Sequence, residues 1–301
     1  MMKLSLIIRR DSVIYTLLFV AWAVIIYCVN AHYAYFGTPV PSVSFGAQQS
    51  PAAAVNAMTD TIARQMTSLS SENNPAKRGR IFETIGATYY RLYVATRKRA
   101  YLDSSFEVCS NELRENGKAS SAYLLLGQIM REKKEFAAAQ SQLEKAISCE
   151  PRSALLEQTL GILLWFDLKR PDLARPHFER ALGLDSSFPT AHYVLGVIAL
   201  DKNDFATARD HFENELRIYN ALSASASRKV PPVDPSDVRM AACFSSLRLA
   251  FLYSTTFVDA QKAQDRFNVY TKLETDPQRR QASINDIQKY WKTSQPGSSL
   301  R

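Results

Sequence analysis

Two apolar patterns divide the chain. Val13 to Val29 is an uninterrupted run of 17 residues without a charge, and at about 1.5 Å per residue, with Ala31 added, it just spans a bilayer core. Tyr15, Trp22 and Tyr27 give that run interfacial character. From Pro51 onward the pattern is periodic instead. Val55, Met58, Ile62, Met66 and Leu69 fall on one helical face behind a proline suited to a helix start, which predicts an amphipathic helix over 51–70 that packs on the main domain. His32 to Ser50 holds Gly37, Pro39, Pro41 and Gly46 without periodicity and reads as a linker. Near the other end Ile284, Ile287 and Trp291 share a face, the pattern of a polar-sided capping helix within 278–301.

Between residues 79 and 277 the helical pattern repeats. Gly127, Gly161 and Gly196 are followed by Ala139, Ala174 and Ala208, then by Leu143, Phe178 and Phe212. Tyr123 and Leu126 precede the first glycine, Leu195 the third, Phe136 and Phe205 stand three residues before their alanines, and Ala146, Ala181 and Pro151 follow. These residues resemble the tetratricopeptide repeat family. Two antiparallel helices cannot bury their shared apolar face alone; small residues mark the close approaches, large ones fill the gaps, and successive pairs stack. Clear repeats fall at 120–153, 154–188 and 189–222, with degenerate units at 79–119 and 236–277. The first degenerate unit carries Phe82, Ile85 and Gly86, then about seven extra residues before Phe106, Cys109 and Leu113. The last follows an insertion, Ser223 to Ser236, that contains Pro231, Pro232 and Pro235. One extra residue in the middle repeat, near Lys169-Arg170-Pro171, is expected to loosen the turn between its helices. The fold class is therefore all-α, a helix-pair solenoid behind one N-terminal transmembrane helix.

Charge supplies the orientation. Lys3, Arg9 and Arg10 precede the apolar run and no further Lys or Arg occurs until Arg64, so residues 1–12 are expected in the cytoplasm, 13–31 in the inner membrane and the solenoid outside, in the periplasm or its equivalent. A cleaved signal peptide is the alternative, with Val29-Asn30-Ala31 as a cleavage site; the run exceeds the usual apolar core of roughly 7–15 residues, which favours an uncleaved anchor. Scarce glycine (10) and proline (13) among 301 residues favour helix. The net charge of +8 is mild, and no basic stripe interleaved with stacking aromatics points to nucleic acid. Cys28, Cys109, Cys149 and Cys243 lack metal-binding spacing. His32, His177, His192 and His211 assemble no catalytic set in the repeat register, so neither an enzyme nor a cofactor or metal is expected.

Two surfaces remain as candidates. The resemblance implies a concave groove lined by the first helix of each repeat, which here brings in Leu124, Arg131, Leu155, Ile162, Trp165, Phe166, Tyr193 and Val197. Read as an exposed apolar floor, these would take a protein partner's apolar helix or extended peptide; read as core, Trp165 and Phe166 merely pack. The second surface is the basic cluster Lys77, Arg78, Arg80, Arg91, Arg97, Lys98 and Arg99. An anionic lipid or polymer fits it, and a solvated helix face is the plainer explanation. Together these features predict a membrane-anchored scaffold that recruits or assembles components of an envelope complex. A periplasmic holding chaperone for an exported subunit, in secretion, pilus, cytochrome-maturation or polysaccharide systems, is the alternative.

Overall fold

The computed structural model describes residues 51–224 and 235–294; the apolar run at 13–31, the linker at 32–50 and most of the insertion lie outside them. The described residues are helical, in the order α1 (Pro51–Ser71), α2 (Pro75–Thr96), α3 (Arg99–Glu115), α4 (Ser120–Glu132), α5 (Phe136–Cys149) and α6 (Ala154–Ile162). A π-helical turn (Leu163–Asp167) continues α6, followed by α7 (Pro171–Leu184), α8 (Ala191–Asp201), α9 (Phe205–Ala224), α10 (Pro235–Thr255), α11 (Ala260–Leu273) and α12 (Pro277–Ser294). Among the described residues no helix is long and apolar enough to cross a membrane.

The helices stack as consecutive antiparallel pairs, α2 with α3 through α10 with α11. The small residues hold the pairs together. A Cβ on Gly127 would stand 2.8 Å from Leu143, on Gly161 3.1 Å from Phe178 and on Gly196 2.7 Å from Phe212. Ala139, Ala174, Ala208 and Ala263 are fully buried beside them. Large side chains therefore seat where the facing helix has none, which is why the glycine-to-aromatic pattern recurs.

Each pair turns through a residue in the left-handed backbone region: Arg97, Lys134, Lys169, Asn203 and Val258. The turn after α4 closes with Glu135 N–H donating to Met130 O at 2.9 Å, and that after α8 with Asp204 N–H donating to Ala199 O at 2.9 Å, the bond that satisfies orphan carbonyls at a helix end. Asp204 and Asp259 then cap the following helices, accepting from Thr207 N–H at 3.1 Å and Lys262 N–H at 3.0 Å.

The middle pair corrects one expectation. Its extra residue does not loosen the turn near Lys169: Lys169 has the same left-handed conformation as Lys134 and Asn203. The residue is absorbed upstream, in the π turn, where Leu168 N–H reaches Leu163 O at 3.0 Å. A wider helical turn hides one residue inside the helix, and the compact inter-helix turn is kept.

The ends differ from the sequence reading in detail. The extra residues of the first unit lengthen α2 and move the helix break to Arg97–Lys98. Helix α1 packs on α2 through Ile62 and its neighbours as expected, but Met66 is 42% exposed. The last helix starts at Pro277, and Ile284 packs against Phe267 and Tyr270; the side chains of Ile287 and Trp291 lie outside the described residues.

Candidate interaction surface

The same repeat position has different surroundings along the stack. On α4, Ser121, Leu124 and Gln128 are half-buried. On α8 the equivalent Thr190, Tyr193 and Val197 are buried, and every residue from Tyr193 to Ala199 is enclosed. The expected exposed aromatic floor is thus closed: Trp165 (8% exposed), Phe166, Tyr193 (1%) and Val197 all belong to the central core. The reason is visible at Tyr193, where the tilted ring of the α10 residue Phe244 lies at 6.3 Å and the Arg248 guanidinium sits 5.9 Å above the ring. What stays accessible of the predicted set is Leu124, Leu155 and Ile162, each half-buried, together with Arg131.

Arg131 is the polar fixture of that strip. Its Nε donates to Asp167 Oδ2 across the α4–α6 junction, while its Nη2 is buried with no hydrogen-bond partner among the described residues. Desolvation pushes the Asp167 carboxyl up despite the guanidinium beside it. Glu132, next along α4, accepts from Tyr93 Oη at 3.0 Å and lies 3.8 Å from Arg97.

The seven-residue basic cluster splits into two groups. Arg78 is a staple: it donates to both oxygens of Glu115, at 2.7 and 2.8 Å, and to the carbonyls of Leu69 and Glu72 at 2.9 and 3.0 Å. It thereby ties together α1, α2 and α3. Lys77 lies 3.7 Å from Glu72, and Arg97 is engaged with Glu132 while covering the Tyr93 ring. Arg80, Arg91, Lys98 and Arg99 are exposed and form no ion pair among the described residues. Arg80 and Arg91 stand eleven residues apart on α2, a spacing that returns to the same face at 3.6 residues per turn.

Several buried polar groups escaped the sequence reading because their partners sit on the other helix of the pair. Glu215 of α9 is fully buried and caps α8, accepting from Thr190 N–H at 2.9 Å and Tyr193 N–H at 3.2 Å. Burial still raises its carboxyl to about 7. Thr190 in turn accepts from Gln158 Nε2 at 2.7 Å. Glu112 is nearly as buried but has no such donors, and desolvation with Glu83 and Glu115 nearby also pushes it up to about 7. The thiols of Cys109 and Cys243, both buried, are pushed up to about 12 by desolvation.

Three of the histidines find their partners within a repeat, across the two helices of a pair. His177 Nδ1 lies 2.7 Å from Glu157, which also receives Arg180 at 3.1 Å. At the equivalent positions of the next pair, His192 faces His211. The signal was present in the sequence: Glu157 and His192 occupy matching places, as do His177 and His211.

Sequence models of the tetratricopeptide repeat match residues 120–152 and 163–222. No curated protein sequence matches the chain. Among solved structures, the chain is similar to a protein of the APC/C Cut9–Hcn1 hetero-tetramer, at 16% identity and TM-score 0.57, over 78% of this chain and 40% of the other. BtubC from P. vanneervenii matches at 13% identity and TM-score 0.52, over 84% and 98%. PilF of Pseudomonas aeruginosa matches at 14% and 0.50, over 78% and 98%. At such identities the likeness is one of fold. With the glycine–alanine–aromatic register, the helix pairs and the matched segments in agreement, this chain carries tetratricopeptide repeats, stacked as an all-helical solenoid.

Proposed function

We propose that this chain is a non-enzymatic interaction scaffold, held in the cytoplasmic membrane by residues 13–31 with its solenoid outside the cytoplasm, that gathers protein components of an envelope complex. The observation that carries the interaction role is the accessible strip on the first helices of the α4–α6 region. There Leu124, Leu155 and Ile162 stay partly exposed at the edge of the central core, with the partly satisfied Arg131 in the same strip. Apolar side chains with a few fixed polar groups suit a protein or peptide partner. The exposed cations Arg80, Arg91, Lys98 and Arg99 add a second contact for an anionic surface on that partner or on lipid. A chain of similar fold was solved within the APC/C Cut9–Hcn1 hetero-tetramer. The orientation rests on Lys3, Arg9 and Arg10 ahead of the uncharged run.

Affinity purification of the full-length chain from mild detergent tests the role. One partner recovered in fixed stoichiometry, and lost with Leu124→Asp or Leu155→Asp in a folded protein, is the expected result. Recovery of many unfolded clients would overturn the scaffold in favour of the holding chaperone. A reporter fused after Ser50 tests the orientation separately, and cytoplasmic activity of that fusion would reverse it.

A further inference from the structure

Helices α8 and α9 bring two half-buried imidazoles face to face. His192 Nδ1 lies 2.9 Å from His211 Nδ1, with ring centroids 5.2 Å apart. Two neutral rings can meet this way only if one carries its proton on Nδ1 and donates to the bare Nδ1 of the other. In the preceding pair the same two positions hold an acid and a histidine, Glu157 and His177, completed by Arg180. That arrangement is closed: the carboxylate is neutralised by its own neighbours. Replacing the acid with His192 leaves instead two ring nitrogens facing each other at 2.9 Å.

The geometry points to a two-histidine site for a divalent first-row transition ion, with both Nδ1 atoms as ligands and water or a small anion completing the coordination. Imidazole suits zinc, copper and nickel. Zinc–nitrogen bonds of 2.0–2.1 Å at a tetrahedral angle separate the two ligand atoms by about 3.3 Å. The rings therefore need to part by only roughly 0.4 Å, within reach of small side-chain rotations. The ring that donated shifts its proton from Nδ1 to Nε2, so both imidazoles remain neutral and no net proton is released on binding. The charges around the pair balance: Glu179 and Arg175 of α7 pair with each other at 2.6 Å, Asp210 pairs with Arg209 at 2.7 Å, and Asp204 and Arg217 stand at or on α9. Among the described residues no group of three or more candidate ligands forms.

The ion would bridge the two helices of one repeat, so binding must stabilise the folded chain by mass action. The test uses the full-length chain in detergent, free of any polyhistidine tag, with zinc, nickel or copper(II) chloride added up to ~1 mM during thermal unfolding. The unfolding midpoint should climb with metal concentration in the wild type and in the His177→Asn control. That rise should vanish in His192→Asn and in His211→Asn, each compared with its own metal-free midpoint so that a weakened hairpin is not mistaken for lost binding. Copper(II) electron paramagnetic resonance should show nitrogen hyperfine structure from two imidazoles, reduced to one or none in either variant. No midpoint shift at ~1 mM of any of the three ions, or an equal shift in the wild type and both variants, would overturn the site and leave the pair as packing.

Discussion

Helices α4 and α8 hold the same place in the first and third clear units, yet one is half wet and the other is enclosed. On α4 the enclosed residues are Ala122, Leu126, Gly127 and Ile129, a single stripe; on α8 enclosure is continuous from Tyr193 to Ala199. The repeat dictates the contact inside a pair, where Gly127 meets Leu143 and Gly196 meets Phe212. It does not dictate what lies against the pair's outer side. That depends on the next unit, and α10, entering through Phe244 and Arg248, closes the ring of Tyr193. Exposure in a solenoid is thus a property of neighbours, whereas intra-pair packing is a property of the unit itself.

The sharpest way to break the comparison is to truncate equivalent residues. Tyr193→Ala should cost about 3–5 kcal/mol, as for other fully buried aromatics, whereas Leu124→Ala should cost about 1 kcal/mol. Equal losses in denaturant unfolding would erase the distinction between the two helices. At the intra-pair contacts the regions should instead behave alike. Gly196→Leu and Gly161→Leu should each lose about 1–3 kcal/mol through overpacking. Gly183→Ala is the internal control: no atom lies within 4 Å of its added methyl, and a gain of about 0.4–1 kcal/mol is expected.

Two buried carboxyls separate the regions by pH. Glu112 and Glu215 both titrate near 7 in the folded chain, above the 4.5 of a free glutamate. A raised folded value means that the folded chain holds the proton more tightly. The resulting stability is complete below about pH 4.5 and is lost as pH rises through 7. Glu112 has no donors to reward its charge, so Glu112→Gln should stabilise by on the order of 1–2 kcal/mol at pH 8 and by nothing near pH 4. Glu215→Gln should destabilise even at pH 8, because its two oxygens accept from separate backbone N–H groups and an amide has one acceptor oxygen. Parallel behaviour of the two variants in pH-dependent unfolding would remove that contrast. The smallest effect belongs to the turns: Val258, β-branched, 81% exposed and at φ 50°, should yield about 0.5–1 kcal/mol on replacement by glycine, measurable as a raised midpoint.

Gly127, Gly161 and Gly196 with their alanines and aromatics made the helix pairs legible in the sequence, because a close backbone approach demands a small residue at a fixed distance from a large one. The location of the middle unit's extra residue was not set by that spacing, since a turn and a helix can each absorb it. A finer signal existed: Lys134, Lys169 and Asn203 each follow an acidic residue by two places, namely Glu132, Asp167 and Asp201, so the turn itself had not changed. The burial of Trp165 and Tyr193 was less accessible, because apolar residues on a first helix satisfy core and surface readings equally. Arg78 looked like one cation among seven; only the convergence of Leu69, Glu72 and Glu115 reveals it as a staple.

The π turn at Leu163–Asp167 also gives the solenoid a place where its coding length can change. Thirteen residues separate Gly161 from Ala174, against twelve from Gly127 to Ala139 and from Gly196 to Ala208. The chain therefore stores one codon's worth of slack inside a helix, where it leaves the phase of every later unit untouched. An insertion in the tight turns would have had to displace the left-handed residue and its closing hydrogen bonds. Reading frames of neighbouring units are insulated from one another here, and single-residue indels in related chains should collect in this segment before they reach the turns.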